Sequence, residues 1–261
     1  MILAIDIGNT QIVVGCLQGE ERISSFRVAT DRSKTAEEYA LLLSGIFSMR
    51  GIAVSQLEGS ILSSVVPVLT PVLRDAVESL TGEKPLVVGA GLKTGLNIKI
   101  DNPAQLGSDR VVDAVAACAR YEKPVLIVDM GTSTTVSVVD RDNSFLGGMI
   151  IPGLRVAVDA LSSRASQLPL NISLEAPEKM IGTNTLDCMR SGSLYGTAAM
   201  LDGIVSRVEK QLGQPVTAVA TGGLGRLVVP LCRRPFHYDP DLLLQGLGIL
   251  FRKNHPKKTG V

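Results

Sequence analysis

Two short stretches set a carboxylate, a glycine and small polar side chains at the end of an apolar run. In "ILAIDIGNTQIVVGC" the run ends on Asp6, Gly8, Asn9 and Thr10. In "VLIVDMGTSTTVSVV" it ends on Asp129, Gly131, Thr132, Ser133 and Thr134. One such stretch reads equally well as a hairpin turn, because Gly-Asn is common turn chemistry. Two, about half a chain apart, with Asp6 matching Asp129, Gly8 matching Gly131 and Thr10 matching Ser133, read as a duplication. The chemistry they suit is the holding of phosphate and a cation. A glycine lets backbone N–H groups approach phosphate oxygens, and the hydroxyls add donors. A carboxylate suits hydrated Mg²⁺, which takes one or two carboxylates with phosphates and water.

Two further stretches carry functional side chains. Thr221-Gly222-Gly223-Leu224-Gly225 follows an apolar run. Alone it also reads as a plain strand-to-helix turn; beside a duplicated phosphate site it is where an adenosine would lie. "DNPAQLGSDR", Asp101 to Arg110, ends in Gly107, Ser108, Asp109 and Arg110. In phosphoryl transfer the protein mostly positions groups and offsets charge, and an alcohol acceptor needs a carboxylate near its hydroxyl. Asp109 falls where a helix starts, and the macrodipole there favours its ionised form. Arg110 suits a carboxylate of a substrate. The plainer alternative is that both residues cap and solvate the helix.

The elements that must position these residues read as α/β. Each acidic stretch lies in a strand–turn–strand pattern, continued by Ile23–Val28 in the first copy and Phe145–Ile151 in the second. "TAEEYALLLSGIFSMRG" puts Tyr39, Leu42, Leu43, Ile46 and Phe47 on one helical face and stops at Gly51. "GSILSSVVP" and "PLVVGA" read as strands. Thr70-Pro71 reads as an N-cap and first helical residue ahead of Val72–Leu80. Ser108 reads as the cap of a helix running to about Tyr121. In the second half, Pro152 opens a short helix, Leu194, Ala198, Leu201, Val205, Val208 and Leu212 mark a long one, and Leu242–Phe251 forms the last. The boundary between halves is expected between Tyr121 and Pro124, dividing the chain into 1–122 and 123–261.

Composition narrows the function classes. Of 261 residues, 45% are hydrophobic and 20% charged, with formal net charge +1, which fits an ordinary folded protein. Aromatics are 3% and Trp is absent. That leaves few stacking platforms and argues against nucleic-acid binding; the basic tail Arg252, Lys253, Lys257, Lys258 reads as a solvated terminus. Cys16, Cys118, Cys188 and Cys232 are widely spaced, which suits buried thiols in a reducing compartment. His237 and His255 cluster with no cysteine, so a zinc site is not expected. The first apolar run is interrupted by Asp6 and lacks a basic leader, and no stretch is long enough to span a membrane. The expected location is the cytoplasm.

The two acidic loops and the third glycine loop together resemble the acetate and sugar kinase/Hsp70/actin superfamily. That resemblance implies two ribonuclease H-like halves with ATP between them. "GSDR", "GGMIIPG" at Gly147–Gly153, "GTNT" at Gly182–Thr185 and "DLLLQGL" at Asp241–Leu247 occur in an order that resembles type III pantothenate kinases, from Met1 to about Phe251. The resemblance implies phosphorylation of the terminal hydroxyl of pantothenate by ATP, the opening step of coenzyme A synthesis. It implies that Asp6, Gly8, Asn9 and Thr10 form the first phosphate loop and Asp129, Gly131, Thr132 and Thr134 the second. Gly222 and Gly223 would lie by the nucleotide. Gly107, Ser108, Asp109 and Arg110 would meet pantothenate, with Asp109 as general base. It further implies Mg²⁺ at Asp6 and Asp129, K⁺ or NH4⁺ near the second loop, and a homodimer in which Thr185 reaches the pantothenate of the partner subunit. The chain departs from the family pattern at Ser108, where many members have Ala, at Ile100, often Tyr, and at Ser137, usually Asp. Two other readings stand beside this one: a non-catalytic nucleotide-binding regulator resembling accessory transcription factors, and a kinase of another small hydroxy acid.

Overall fold

The computed structural model describes residues 1–19 and 21–255, so the turn residue Glu20 and the basic tail at Lys257 and Lys258 lie outside the described residues. The first elements are β1 (Ile2–Ile7), β2 (Gln11–Gln18), β3 (Glu21–Ala29), α1 (Ala36–Met49), β4 (Gly59–Ser64), α2 (Thr70–Thr81), β5 (Leu86–Val87), β6 (Asn97–Ile98) and α3 (Ser108–Arg120). There follow β7 (Val125–Met130), β8 (Ser133–Val139), β9 (Ser144–Pro152), α4 (Leu154–Arg164), α5 (Thr185–Leu212), β10 (Thr217–Thr221), α6 (Gly225–Val228), β11 (His237–Tyr238) and α7 (Leu242–Asn254).

Contacts divide the chain into two units. The first holds residues 1–96, 101–116 and the described residues from Asp241 onward; the second holds 97–100 and 117–240. The first unit is built on a sheet of order β3-β2-β1-β4-β5. Every residue of β1 is buried, Asp6 included, which requires cover on both faces of the sheet. Side-chain alternation separates the two covers. Leu3, Ile5 and Ile7 pack with Tyr39, Phe47 and Leu73. Ile2 and Ala4 pack with Val112, Val115, Leu244 and Leu247. The last helix, α7, therefore belongs to the first sheet, whereas a cut at 122/123 places it in the second half. Gly246 allows this packing, since a Cβ there would fall on the Val112 carbonyl.

The second unit repeats the plan, with sheet order β11-β10-β7-β8-β9-β6. In each sheet three consecutive strands, β1–β3 or β7–β9, form an antiparallel meander, and two later strands extend the sheet in parallel from the first strand of that meander; the second sheet adds β6, parallel to β9, at its edge. Even the irregularity recurs, with a register shift at Cys16/Leu17 and another at Val138/Val139. The duplicated turns differ by one residue. Ile7 pairs with Ile12, leaving Gly8 to Gln11 between them, whereas Met130 pairs with Thr134, leaving only Gly131 to Ser133. The N–H of Gly8 reaches Gln11 O, and that of Gly131 reaches Ser133 O, each at 3.1 Å. Ser133 thus corresponds to Gln11, and its expected match with Thr10 fails because the second turn is shorter.

Two expected caps are also corrected. Leu69 is the N-cap of α2 and Thr70 its first helical residue; the Thr70 hydroxyl turns back to Ser64 Oγ at 2.8 Å. Ser108 is likewise the first residue of α3, and its hydroxyl is spent elsewhere, as described below. α1 carries a capping box that was not singled out in the sequence: Thr35 accepts from Glu38 N–H, and Glu38 accepts from Thr35 N–H. All four cysteines are free thiols, with Cys16 buried, Cys118 and Cys232 half-buried and Cys188 exposed.

Candidate active site

In the first unit, chemistry collects at the C-terminal ends of β1 and β4, the place where open α/β sheets bind ligands. Asp6 is the penultimate residue of β1 and is only 8% exposed. Its neighbour in the parallel register is Ser63 of β4. Ser63 Oγ lies 3.0 Å from Ser108 Oγ. The Ser108 hydroxyl also accepts from Ser64 N–H at 3.0 Å and donates to Ser64 O at 2.9 Å. One serine therefore ties the start of α3 to the strand beside Asp6. It brings Asp109 and Arg110 to the same sheet end as the first acidic loop. Ser63 and Ser64 were not singled out in the sequence, although two small polar residues ending the buried run "SILSS" are a readable signal.

Asp109 Oδ1 accepts the N–H of Arg110 at 2.8 Å. Gly107 makes room for this, because a Cβ there would land on that carboxylate oxygen. Burial pushes the Asp109 carboxyl above its ordinary value, against the opposing pull of the Arg110 N–H and of the neighbouring guanidinium. Desolvation outweighs the helix-start stabilisation expected from sequence, because the group is removed from water.

The first loop is a tight cradle. A Cβ on Gly8 would sit 2.9 Å from Gln11 O. The segment after β3 is laced to it. Thr30 N–H donates to Thr10 O at 3.1 Å, and the Thr30 hydroxyl donates to Gly8 O at 2.6 Å. Arg32 Nη2 donates to Asn9 Oδ1 at 3.2 Å.

In the second unit, Asp129 stands near the C-terminal end of β7, in register with Thr221 at the end of β10. The next residue, Gly222, has φ +84°, and a Cβ there would meet Asp129 Oδ1 at 2.5 Å and Met130 backbone at 2.7 Å. The third glycine loop thus lies directly on the second acidic loop, and only glycine permits the approach. Tyr238 donates to Gly222 O at 3.1 Å. Gly223 has open space where its Cβ would be. Gly153 backs the same loop, since a Cβ there would strike Thr132 O. Among the described residues no three His, Cys, Asp or Glu side chains cluster in a way that would hold a metal without other ligands. The donor set present, one buried carboxylate beside a glycine cradle, fits a Mg²⁺ that brings its own water and phosphate oxygens.

Thr134 and Thr185 meet in a different feature of this unit. Both line a mainly apolar groove of about 580 Å³, with Pro152, Leu161, Met189 and Gly196 among its walls. Thr185 is the first residue of α5, whose N-cap Asn184 accepts from Asp187 N–H at 2.9 Å. Arg190 steadies that end, reaching Ser173 O at 3.1 Å and Ser173 Oγ at 2.6 Å. Among the described residues no helix is long and apolar enough to cross a membrane.

Residues 2–207 match the family model for type III pantothenate kinase. A type III pantothenate kinase of an Exiguobacterium species is 43% identical over 97% of this chain and 99% of its own. Among solved structures, a candidate 2-dehydro-3-deoxygalactonokinase of Sinorhizobium meliloti superposes with TM-score 0.62 at 12% identity, covering 100% of this chain and 99% of that one. A candidate Baf family transcriptional activator of Campylobacter jejuni does so with TM-score 0.58 at 18% identity, covering 97% and 98%. Identities this low speak for a shared actin-like ATPase and sugar kinase fold and for nothing finer.

Proposed function

The chain belongs to the type III pantothenate kinase family, and from that premise we propose how its residues share the reaction. The enzyme phosphorylates pantothenate with ATP in coenzyme A synthesis. Asp109 takes the proton of the terminal hydroxyl. That oxygen forms its bond to the γ-phosphorus as the bond to the bridging β,γ-oxygen breaks, and ADP leaves. A carboxyl held above its ordinary value is a better proton acceptor than a solvated one. Arg110 pairs with a charged or polar group of pantothenate. Asn9 and Thr10 offer N–H and hydroxyl donors to phosphate oxygens, and Thr132 and Thr134 offer the same chemistry in the second unit; Gly8 and Gly131, whose N–H groups bond within their own turns, keep those loops tight. Gly222 and Gly223 leave space beside them for the rest of the nucleotide. Asp6 would hold Mg²⁺ through water, and a bound ion would offset phosphate charge; Asp129 is the corresponding carboxylate of the second unit. K⁺ or NH4⁺ would sit near the second loop, as the family resemblance implies.

The observation that carries this reading is the convergence, on one sheet end, of buried Asp6 and desolvated Asp109 through Ser63 and Ser108. The dimer with Thr185 serving the partner subunit's pantothenate is supported by an exposed Thr185 at the rim of an apolar groove.

A coupled assay for ADP release tests the assignment. It is run with pantothenate and with other small hydroxy acids, in potassium and then sodium buffer. Turnover that needs pantothenate and is higher in potassium is the expected result. No pantothenate-dependent turnover in either buffer would overturn it.

A further inference from the structure

We propose that Arg32 is a further ligand for the phosphates of ATP, donating to β- or γ-phosphate oxygens at the first loop. The proposal rests on the reading of Asp6 to Thr10 as a phosphate loop. Arg32 lies in the segment between β3 and α1, and that segment is fixed on both sides. Before it, Thr30 is hydrogen-bonded to Thr10 O and Gly8 O. After it, the fully buried Tyr39 accepts from Asp31 N–H at 3.0 Å and donates to Asp31 O at 2.8 Å. The backbone of Arg32 is thereby held at a set distance from the loop, while its side chain is exposed.

The side chain also points the right way. Its Nη2 donates to Asn9 Oδ1 at 3.2 Å, which lays the guanidinium on the loop itself. A guanidinium has five N–H donors and a permanent charge, and Asn9 is neutral and takes one of them. Among the described residues Arg32 makes no ion pair. The adjacent carboxylate is occupied: Asp31 Oδ1 accepts from Ser33 N–H at 3.0 Å and Ser33 Oγ at 2.6 Å, and its other oxygen lies 3.7 Å from Lys34. Two other arginines of this unit do have carboxylate partners, Arg22 with Asp241 and Arg74 with Asp75. A fixed cation with spare donors, set against an anion cradle and lacking a counter-charge, matches the chemistry of a triphosphate. Arginine is the residue best shaped for phosphate, because its fork contacts two oxygens at once.

The test is a ligand-observed NMR titration of the full chain with Mg-AMPPNP and separately with AMP. It uses the wild type, Arg32→Ala, Arg32→Lys and Asp6→Asn. A charge-assisted hydrogen bond lost from a bound ligand weakens it on the order of 10–100-fold. Arg32→Ala should therefore weaken Mg-AMPPNP by about that factor, leave AMP unchanged and keep the wild-type melting temperature. Arg32→Lys should recover part of the loss, since the charge remains while the fork does not. If Asp6→Asn weakens Mg-AMPPNP and Arg32→Ala does not, Arg32 is no phosphate ligand, though the loop still is. A parallel loss for AMP would make Arg32 a brace of the loop and would also overturn the proposal. If neither variant changes Mg-AMPPNP binding, the loop reading falls and the proposal falls with it.

Discussion

Asp109 is held in a state that a purely structural aspartate would avoid. Its carboxyl is pushed above the ordinary 3.8, chiefly by burial. Folding then favours its protonated form. Above the folded pKa the charged group costs stability in full, and the cost fades as pH falls through that value toward the unfolded one. Asp109→Asn removes the charge and keeps an oxygen for the Arg110 N–H. Its melting temperature at neutral pH should be no lower than wild type, and any gap should close on acidification. Turnover should fall by about 10²–10⁴-fold, the usual contribution of a general base. A loose phosphoryl-transfer transition state asks little of a base and favours the lower end. The acidic limb of kcat/KM should lie above the ordinary carboxylate range in the wild type. A well-folded Asp109→Asn protein with normal turnover would leave this residue only a positioning role.

The element that matters most at the next scale is the joint between β4 and α3. Ser108 makes three contacts there, to Ser63 Oγ and to the N–H and carbonyl of Ser64. Its hydroxyl is turned toward the strand and spent on it. Ser108→Ala should cost about 1–3 kcal/mol, the penalty for leaving part-buried polar groups unpaired. Turnover and the pantothenate KM should change little, because Val112 and Val115 still pack α3 onto the sheet. Urea unfolding and steady-state kinetics on one preparation check both halves of this statement. A clear rise in pantothenate KM would restore Ser108 as a substrate contact, the role the family resemblance implies. Ser63→Ala should be milder, since both backbone bonds of Ser108 survive it.

At the scale of the whole molecule the question is what covers the groove beside α5. It is mainly apolar, and exposed Ile150, Leu161 and Leu170 belong to the same unit. The occupant we expect is a second copy of the chain, because closed two-fold dimers are the commonest assembly. The chain mass is 27.6 kDa. Sedimentation at micromolar concentration should show a species of twice that mass, and Leu161→Glu should shift it toward the monomer. Thr185→Ala should then raise the pantothenate KM while the dimer persists. A wild-type protein sedimenting only at 27.6 kDa would refute the shared site.

The sequence by itself determined whatever rests on preferences that act over a few residues. Glycine after a strand-ending aspartate and the apolar spacing of Tyr39, Leu43 and Phe47 are local chemistry, readable in place. The duplication was legible because the same local chemistry occurs twice, and it reappears as a shared five-strand order to which the second sheet adds β6 at one edge. The tertiary structure alone decided which distant partner each polar group finds. Ser108 looked like a helix cap until the end of β4, 44 residues away, offered it better bonds. Arg32 carries no mark in the sequence, and only the fold sets it on Asn9, 23 residues distant. α7 carried no mark of the sheet it would join, because Gly246 and Val112 become neighbours only when the chain has closed. The one-residue difference between the acidic turns was hidden for the same reason, since turn length is defined by the pairing of strands and not by the residues inside the turn. A hydrogen bond or a close contact depends on a geometry that long-range packing supplies, and the residue types at its two ends do not specify it in advance.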